Sequence, residues 1–463
     1  MKNILISVFP FLSRYTKDSS PLRKKVAGGF VWAFVSKSLF AVFGVILNVL
    51  LVRLLSPEEV GQYFLAMSFI AILGTVTFFG LKQAIVKIIA ESLAIGQPGR
   101  AGRAIQLGGI LTGVGVLIGC LFFVTGGGKW IGTWLFDSPA IGELSLLLAL
   151  WLLVSNFQTL IGEIFRGLQQ LRWASLFGDQ GTLTRLLTVF FLTIIWYVFS
   201  KSTLHQIVTL AVLSNAITLV LSLAILWPAV RLLDKSQGTL ASWELYSFTL
   251  PLWVNSLGLL IFNQADTIFL GIFRPEHEIA LYGVAIRLAL VVSMPQLMMN
   301  TVLPPLVADL YAKGQKGHLE RMLRSTATIS ILLALVIFLL FIIFGKAALA
   351  MLFGSYYIQA YGLLLILSFG QLVNVATGSC GILMMMCGFH KQFMRITIST
   401  GILGLVILYF FIQLWGVFGS VLGVTINTII LMLWTMLYSW RKTGVRSWPY
   451  FVINNSGLLE TDR

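Results

Sequence analysis

Twelve apolar stretches, at 26–52, 61–81, 104–125, 143–165, 173–199, 205–230, 245–271, 280–304, 324–344, 358–386, 394–414 and 416–440, leave this chain few folds to choose from. Each reaches the ~20 residues that an α-helix needs to cross a bilayer. Hydrophobic residues make up 58% of the chain and charged residues 11%, against roughly 45–50% and 25% in soluble domains. No soluble core could hide that much apolar surface. The expected class is an all-α integral membrane protein with twelve transmembrane helices. The last two stretches are joined by a very short turn near Trp415.

The net charge of +15 could suggest nucleic acid, but its distribution points elsewhere. With the N-terminus inside, the inner loops and termini hold 24 Lys and Arg, the outer loops five and the spans three. That is the positive-inside pattern, and it puts both termini in the cytoplasm. Residues 1–25 read as a cytoplasmic arm: the apolar run Ile4–Leu12 is too short to span, and no cleavage site follows it. No loop is long enough for a soluble domain. Three cysteines in apolar stretches and four scattered histidines give neither a disulfide framework nor a metal site.

The chain also repeats itself. At a shift of 218, Pro57-Glu58 meets Pro275-Glu276, Ala90-Glu91 meets Ala308-Asp309, Gly96-Gln97 meets Gly314-Gln315, and Arg103 meets Arg321; Tyr63 meets Tyr282 with a one-residue slip. Matches of Pro, Glu, Gly and Arg at one shift are not expected by chance in an apolar chain. The shift carries span 2 onto span 8, an even displacement, so both copies face the same way. The expected domains are a six-helix bundle at 26–230, a cytoplasmic linker at 231–242, a second bundle at 243–440 and a tail at 441–463. Parallel repeats around a central cavity are a transporter architecture.

The opening KKVAGGFVWAFVSKSLFAVFGVILNVLLVRLLSPEEVGQYFLA resembles that of bacterial polysaccharide transporters. These are the oligosaccharide flippases (Wzx-type) of the multidrug/oligosaccharidyl-lipid/polysaccharide (MOP) exporter superfamily. The signature R-x-L-x-P-E-x-x-G-x-Y falls on Arg53, Leu55, Pro57, Glu58, Gly61 and Tyr63; Asn263–Phe273 and Phe165–Trp173 also fit. The resemblance covers essentially the whole chain. It implies a bacterial inner-membrane protein that flips a lipid-linked oligosaccharide by alternating access, with helices 1, 2, 7 and 8 lining the cavity. Other polysaccharide-assembly membrane proteins are its expected partners. Flippases of the peptidoglycan precursor typically carry fourteen helices, and twelve stretches are found here.

Six ionisable groups fall within spans: Lys37, Glu163, Asp179, Arg185, Asp266 and Arg287. Each costs ~2.5–3.5 kcal/mol at the bilayer centre, so each needs a partner, water or a function. Lys37 lies too deep to snorkel easily. Lys37 and Arg287 could screen a lipid-linked pyrophosphate, with Arg53 at the outer mouth; Asn48, Asn255 and Asn263 could meet sugar hydroxyls. Equally, Lys37 could be satisfied by helix-cap carbonyls or a neighbouring acid. Asp266 and Arg287 lie at similar depth and could be a packing salt bridge, or Asp266 could take a proton or sodium ion. Glu163, Asp179 and Arg185 read as a structural cluster. Glu91 and Asp309 read as gate residues paired with Lys87 or Lys313. The amides Asn156, Gln296 and Asn300 either glue helices or line a path. Pro251, Pro295, Pro304 and Pro305 should kink helices 7 and 8, either as bends that serve alternating access or as static kinks.

No phosphate-binding glycine loop appears, so no cofactor is expected and coupling to H+ or Na+ is open. The alternatives are a cation-coupled multidrug exporter, a membrane glycan polymerase or ligase, and a non-transporting scaffold.

Overall fold

The computed structural model describes the backbone of residues 21–136, 138–178, 181–199, 201–233 and 242–450. The regular structure is helical, with no strand among the described residues. In hydrocarbon no water can satisfy a bare N–H or C=O, and a helix satisfies nearly all of its own.

The principal helices are α1 Pro21–Leu54, α2 Pro57–Thr77, α3 Leu81–Ala94, α4 Pro98–Val124, α5 Ser145–Gly167, α6 Leu171–Phe177, α7 Thr182–Phe199 and α8 Leu204–Leu233. They continue with α9 Ser242–Phe273, α10 Glu276–Met299, α11 Leu303–Ala312, α12 Lys316–Phe353, α13 Tyr361–Ala376, α14 Cys380–Met386 and α15 His390–Thr443. The chain forms two compact units, 1–261 and 262–463. Residues 1–20, 234–241 and 451–463 of the expected arm, linker and tail lie outside the described residues.

Among the described residues, nine helices are long and apolar enough to cross a membrane, three fewer than the stretches expected. The difference has identifiable places. α1 and α9 are each long enough to span, and their described side chains form the apolar segments 38–54 and 264–273. α15 holds two of the stretches: at Gly416 the backbone leaves the helix (φ 57°, ψ −134°) and the chain doubles back. Gly419 then sits against the Phe411 carbonyl, Gly423 against Leu408 and Gly404 against Asn427. The turn expected near Trp415 is this one.

In the first unit α5 is central, packed by α3, α4, α6 and α8. α3 turns Leu81, Ile85 and Ile89 inward onto Ala101, Leu160 and Phe165, the i, i+4 spacing of one helical face. In the second unit α10 packs on α12 and α13, and α11 on α12 and α14. α12 leaves Leu333, Leu340, Ile343 and Phe344 exposed, an apolar face suited to lipid.

The repeated motifs are local structure. α2 opens with Pro57 in its first turn and a capping box, Ser56 with Glu59. Glu91 and Asp309 begin the same turn in the two copies. The N–H groups of Ile95 and Lys313 donate to the Glu91 and Asp309 carbonyls, both at 3.1 Å. Gln97 N–H donates to Ser92 at 2.8 Å and Gln315 N–H to Leu310 at 3.0 Å. Gly96 and Gly314 recur because this turn needs a left-handed residue, at φ 70° and 69°.

Candidate functional site

Two helix breaks, between α2 and α3 and between α10 and α11, shape the surroundings of the polar side chains. Between α2 and α3 the chain passes through Phe79 (φ 49°) and Gly80 (φ 73°). A broken helix exposes carbonyls that need donors. Trp253 Nε1 donates to the Val76 carbonyl at 3.0 Å, and Asn156 Nδ2 to the Thr77 hydroxyl at 2.7 Å. Gly115 lets the Thr77 carbonyl approach where any Cβ would collide. Between α10 and α11 the break is made by Pro304 and Pro305 at the start of α11, which lack the N–H groups that would continue the helix. Here Gln296 Nε2 donates to the Gly378 carbonyl at 2.9 Å, and Ser379 Oγ to Asn300 Oδ1 at 2.6 Å. Asn156, Gln296 and Asn300 therefore bind helix to helix at the breaks.

Asp266 on α9 is nearly buried and Tyr282 on α10 fully so. The Tyr282 hydroxyl donates to Asp266 Oδ2. The Thr267 N–H donates to Oδ1 at 2.8 Å, with the Thr267 hydroxyl 3.5 Å from the same oxygen. Both carboxylate oxygens are thus taken up within the unit. The salt bridge considered between Asp266 and Arg287 does not form. Arg287 Nη1 donates at 2.9 Å to the carbonyl of Gly283, one turn back on its own helix. The phenol outcompetes it because Tyr282 meets α9 directly, whereas Arg287 lies more than a turn farther along α10. Tyr282 entered the sequence reading only as the repeat mate of Tyr63, a signal for a buried position but not for its acid.

In the first unit the cation Arg185 on α7 lies across α1. Its Nη1 donates to the Phe40 carbonyl at 2.9 Å, and its guanidinium sits 3.4 Å above the Phe40 ring centroid. Gly44 makes the room: a Cβ there would collide with Nη1. The Ser36 and Thr182 hydroxyls bond each other, and Ser36 Oγ reaches the Ser175 carbonyl at 3.0 Å. Two members of the expected cluster of Glu163, Asp179 and Arg185 have partners among the described residues. Glu163 is held by Arg166 at 2.8 and 3.0 Å on its own helix, Arg185 goes to α1, and Asp179 lies outside the described residues. Spacing on α5 and α7 could not reveal the reach of Arg185 to α1, because the room for it is a gap at Gly44 more than a hundred residues away.

The other expected site residues are placed as follows. Asn48 donates to the Gly44 carbonyl at 2.6 Å, so its amide is turned along α1 beside Arg185. Arg53 is exposed in the last turn of α1. Glu91 pairs with Lys87 at 3.5 Å, and Asp309 with Lys313 at 2.7 Å, each within its own helix. The side chains of Lys37, Asn255 and Asn263 lie outside the described residues. Among the described residues no three His, Cys, Asp or Glu side chains gather as metal ligands.

The family described as "Polysaccharide biosynthesis protein" matches residues 26–311, and the family described as "MatE" matches residues 251–410. An uncharacterized membrane protein of Methanocaldococcus jannaschii is 22% identical over 365 residues, covering 76% of this chain and 71% of the relative. Among solved structures, an inward-facing multidrug resistance MATE family transporter of the MOP superfamily superposes with a TM-score of 0.72 at 16% identity, covering 89% of this chain and 98% of that one. The MATE multidrug transporter DinF-BH gives 0.66 at 16% identity, covering 90% and 95%. A MOP superfamily transporter from Pyrococcus furiosus, described as having a binding pocket of reversed polarity that suggests a different function, gives 0.60 at 16%, covering 91% and 96%.

Proposed function

The chain belongs to the polysaccharide biosynthesis protein family and is a multi-pass membrane transporter of the MOP superfamily, and from that premise we propose that it flips a lipid-linked oligosaccharide across a bacterial cytoplasmic membrane. The carrier is a polyprenyl pyrophosphate. Its passage is limited by the pyrophosphate, because charge in hydrocarbon is costly.

What supports the reading is that the spans hold guanidinium and ammonium groups, Arg185, Arg287 and Lys37, of the kind that meets phosphate oxygens. Arg185 and Arg287 each hydrogen-bond a neutral main-chain carbonyl. Among the described residues, Asp266 is bonded by Tyr282 and Thr267 and Glu163 by Arg166. An exporter of cations wants an acid to offer its substrate; a pyrophosphate wants guanidinium or ammonium groups, which grip phosphate oxygens. Lys37, three residues before Phe40 on α1, adds a third cation to this set, with Arg53 at the outer mouth and Asn48, Asn255 and Asn263 toward the sugar. The reversed polarity reported for the Pyrococcus furiosus relative supports the view that pocket charge varies within this fold.

In this reading the bundles 26–230 and 243–440, joined by the cytoplasmic segment 231–242, rock about the site, and both termini are cytoplasmic. MOP transporters need no cofactor, and coupling to H+ or Na+ is consistent with the family. Other membrane proteins of polysaccharide assembly supply and remove the substrate.

The second reading, a cation-coupled multidrug exporter, has its own support in Asp266, a nearly buried acid within the region matched to MatE. Proteoliposomes separate the two. Wild type should flip a fluorescent polyprenyl-pyrophosphate oligosaccharide; Lys37→Ala should fail and Lys37→Arg should retain activity. Expulsion of cationic dyes under an ion gradient, with no lipid flipping, would replace the first reading by the second.

A further inference from the structure

A cleft of about 440 Å3 in the first unit lies outside every residue assigned above. Three helices form it. α4 gives Ile105 and Gly109, α5 gives Leu160 and Ile164, and α8 gives Leu223 and Trp227. Every lining side chain is apolar. Along α8 the lining runs from Leu219 to Val230, roughly 16 Å at the helical rise. The volume holds about fifteen groups the size of a water molecule or methylene. One alkyl chain has that length and bulk. Leu223 and Trp227 are 46% and 58% exposed, so the cleft is open along its side.

Its end is charged. On α8 the lining stripe Leu223–Trp227 continues at i+4 to Arg231, whose guanidinium stands 4.9 Å from the Trp227 ring centroid. On α4 the stripe from Gly109 runs back by threes through Gln106 to Arg103, and Arg103 Nη1 donates to Gln106 Oε1 at 3.2 Å. Both arginines are exposed. They stand at one end of the cleft, where α4 begins and α8 ends. An apolar trough that opens between two cations matches one chemistry, an alkyl chain carrying an anionic headgroup. Basic pockets between spanning helices recognise such headgroups, and a Trp at headgroup level is a usual interface anchor.

We propose that this cleft binds an anionic glycerophospholipid of the surrounding membrane, one acyl chain between α4, α5 and α8 and the phosphate between Arg103 and Arg231. The site is independent of the transported substrate and stands whatever that substrate is. Bound lipid would tie α8 to α4 and α5 and make transport responsive to the anionic content of the bilayer.

Gly109 gives a clean test, because a Cβ there would meet nothing within 4 Å. Gly109→Phe should fold and fill the trough; Gly109→Ala should fold and leave it open. The full-length protein, stripped of native lipid, is titrated with phosphatidylglycerol or phosphatidylcholine, and retained lipid is counted by native mass spectrometry. Wild type and Gly109→Ala should each retain one phosphatidylglycerol in preference to phosphatidylcholine, and Gly109→Phe should lose it. The double variant Arg103→Ala/Arg231→Ala should lower that preference by roughly ten- to thirtyfold, the factor two headgroup-level cations supply. Should Gly109→Phe not fold, Gly109→Leu and the arginine pair carry the test. Equal retention of both lipids by wild type, or undiminished retention when the trough is filled, overturns the proposal. So does displacement of phosphatidylglycerol by equimolar polyprenyl phosphate, which would make the cleft a substrate-tail subsite.

Discussion

Both units break a helix ahead of the repeated turn, about one helical turn apart in the repeat's register and by opposite chemical means. In the first, the α2–α3 break rests on left-handed backbone at Phe79 and Gly80 and on donors from Trp253 and Asn156. In the second, the α10–α11 break rests on Pro304 and Pro305, with Gln296 and Asn300 as polar ties. The turns that follow, at 91–97 and 309–315, keep the same hydrogen bonds. Charge has diverged more than backbone. The first unit sets a guanidinium across α1; the second seals an acid beneath a tyrosine. The repeat preserves the turn after the break and leaves each copy free in how it breaks the helix and what it holds there.

The largest effect should come from Gly80. A Cβ there would collide with the Thr249 carbonyl, in a backbone conformation that L-residues avoid. Gly80→Val should cost about 3 kcal/mol or more and lower the thermal transition of the purified protein sharply. Pro305→Ala, in the other break, should cost under about 1 kcal/mol, because it only restores an N–H. Equal losses would mean that both breaks depend on strain.

Tyr282→Phe comes next. It leaves Asp266 Oδ2 without its donor in a buried place, at a cost of about 1–3 kcal/mol, measured as a fall in thermal stability. Asp266→Asn should largely offset that loss in the double variant, a coupling that a double-mutant cycle would reveal. Trp253→Phe removes one bond to the Val76 carbonyl while keeping the ring near Phe79, and should cost about 1 kcal/mol. The smallest effects belong to the exposed pairs: Glu91→Gln and Asp309→Asn should each change stability by about 0.5 kcal/mol or less. A loss of transport in either variant at unchanged stability would support a gate at that pair.

Much of the architecture was legible because lipid allows so few solutions. Apolar length located the helices, and the recurrence of Pro57-Glu58 and Gly96-Gln97 marked repeated elements, which are the start of α2 and the left-handed turn at Gly96. A short turn near Trp415 follows from two apolar stretches meeting there without room for a loop, and Gly416 makes it. Side-chain partners were harder to read. Nothing local to Arg185 points to Gly44, since the feature that receives it is an absence of side chain on a distant helix. Asp266 and Arg287 matched in depth and sign, yet depth says nothing about which face of α10 meets α9, and the phenol of Tyr282 holds that face. Phe79 was unforeseen because a non-glycine residue in left-handed backbone has no sequence signature.

The central claim is that cations in the spans, and not the acid, carry the substrate. The rate at which proteoliposomes flip a fluorescent polyprenyl-pyrophosphate oligosaccharide tests it most directly, compared across wild type, Arg287→Ala and Asp266→Asn. The account predicts that Arg287→Ala slows flipping by roughly a hundredfold, about the 2.7 kcal/mol of a charge-assisted phosphate contact, while Asp266→Asn stays within about threefold of wild type. Flipping that survives Arg287→Ala and is abolished by Asp266→Asn would contradict it and make the acid the working group.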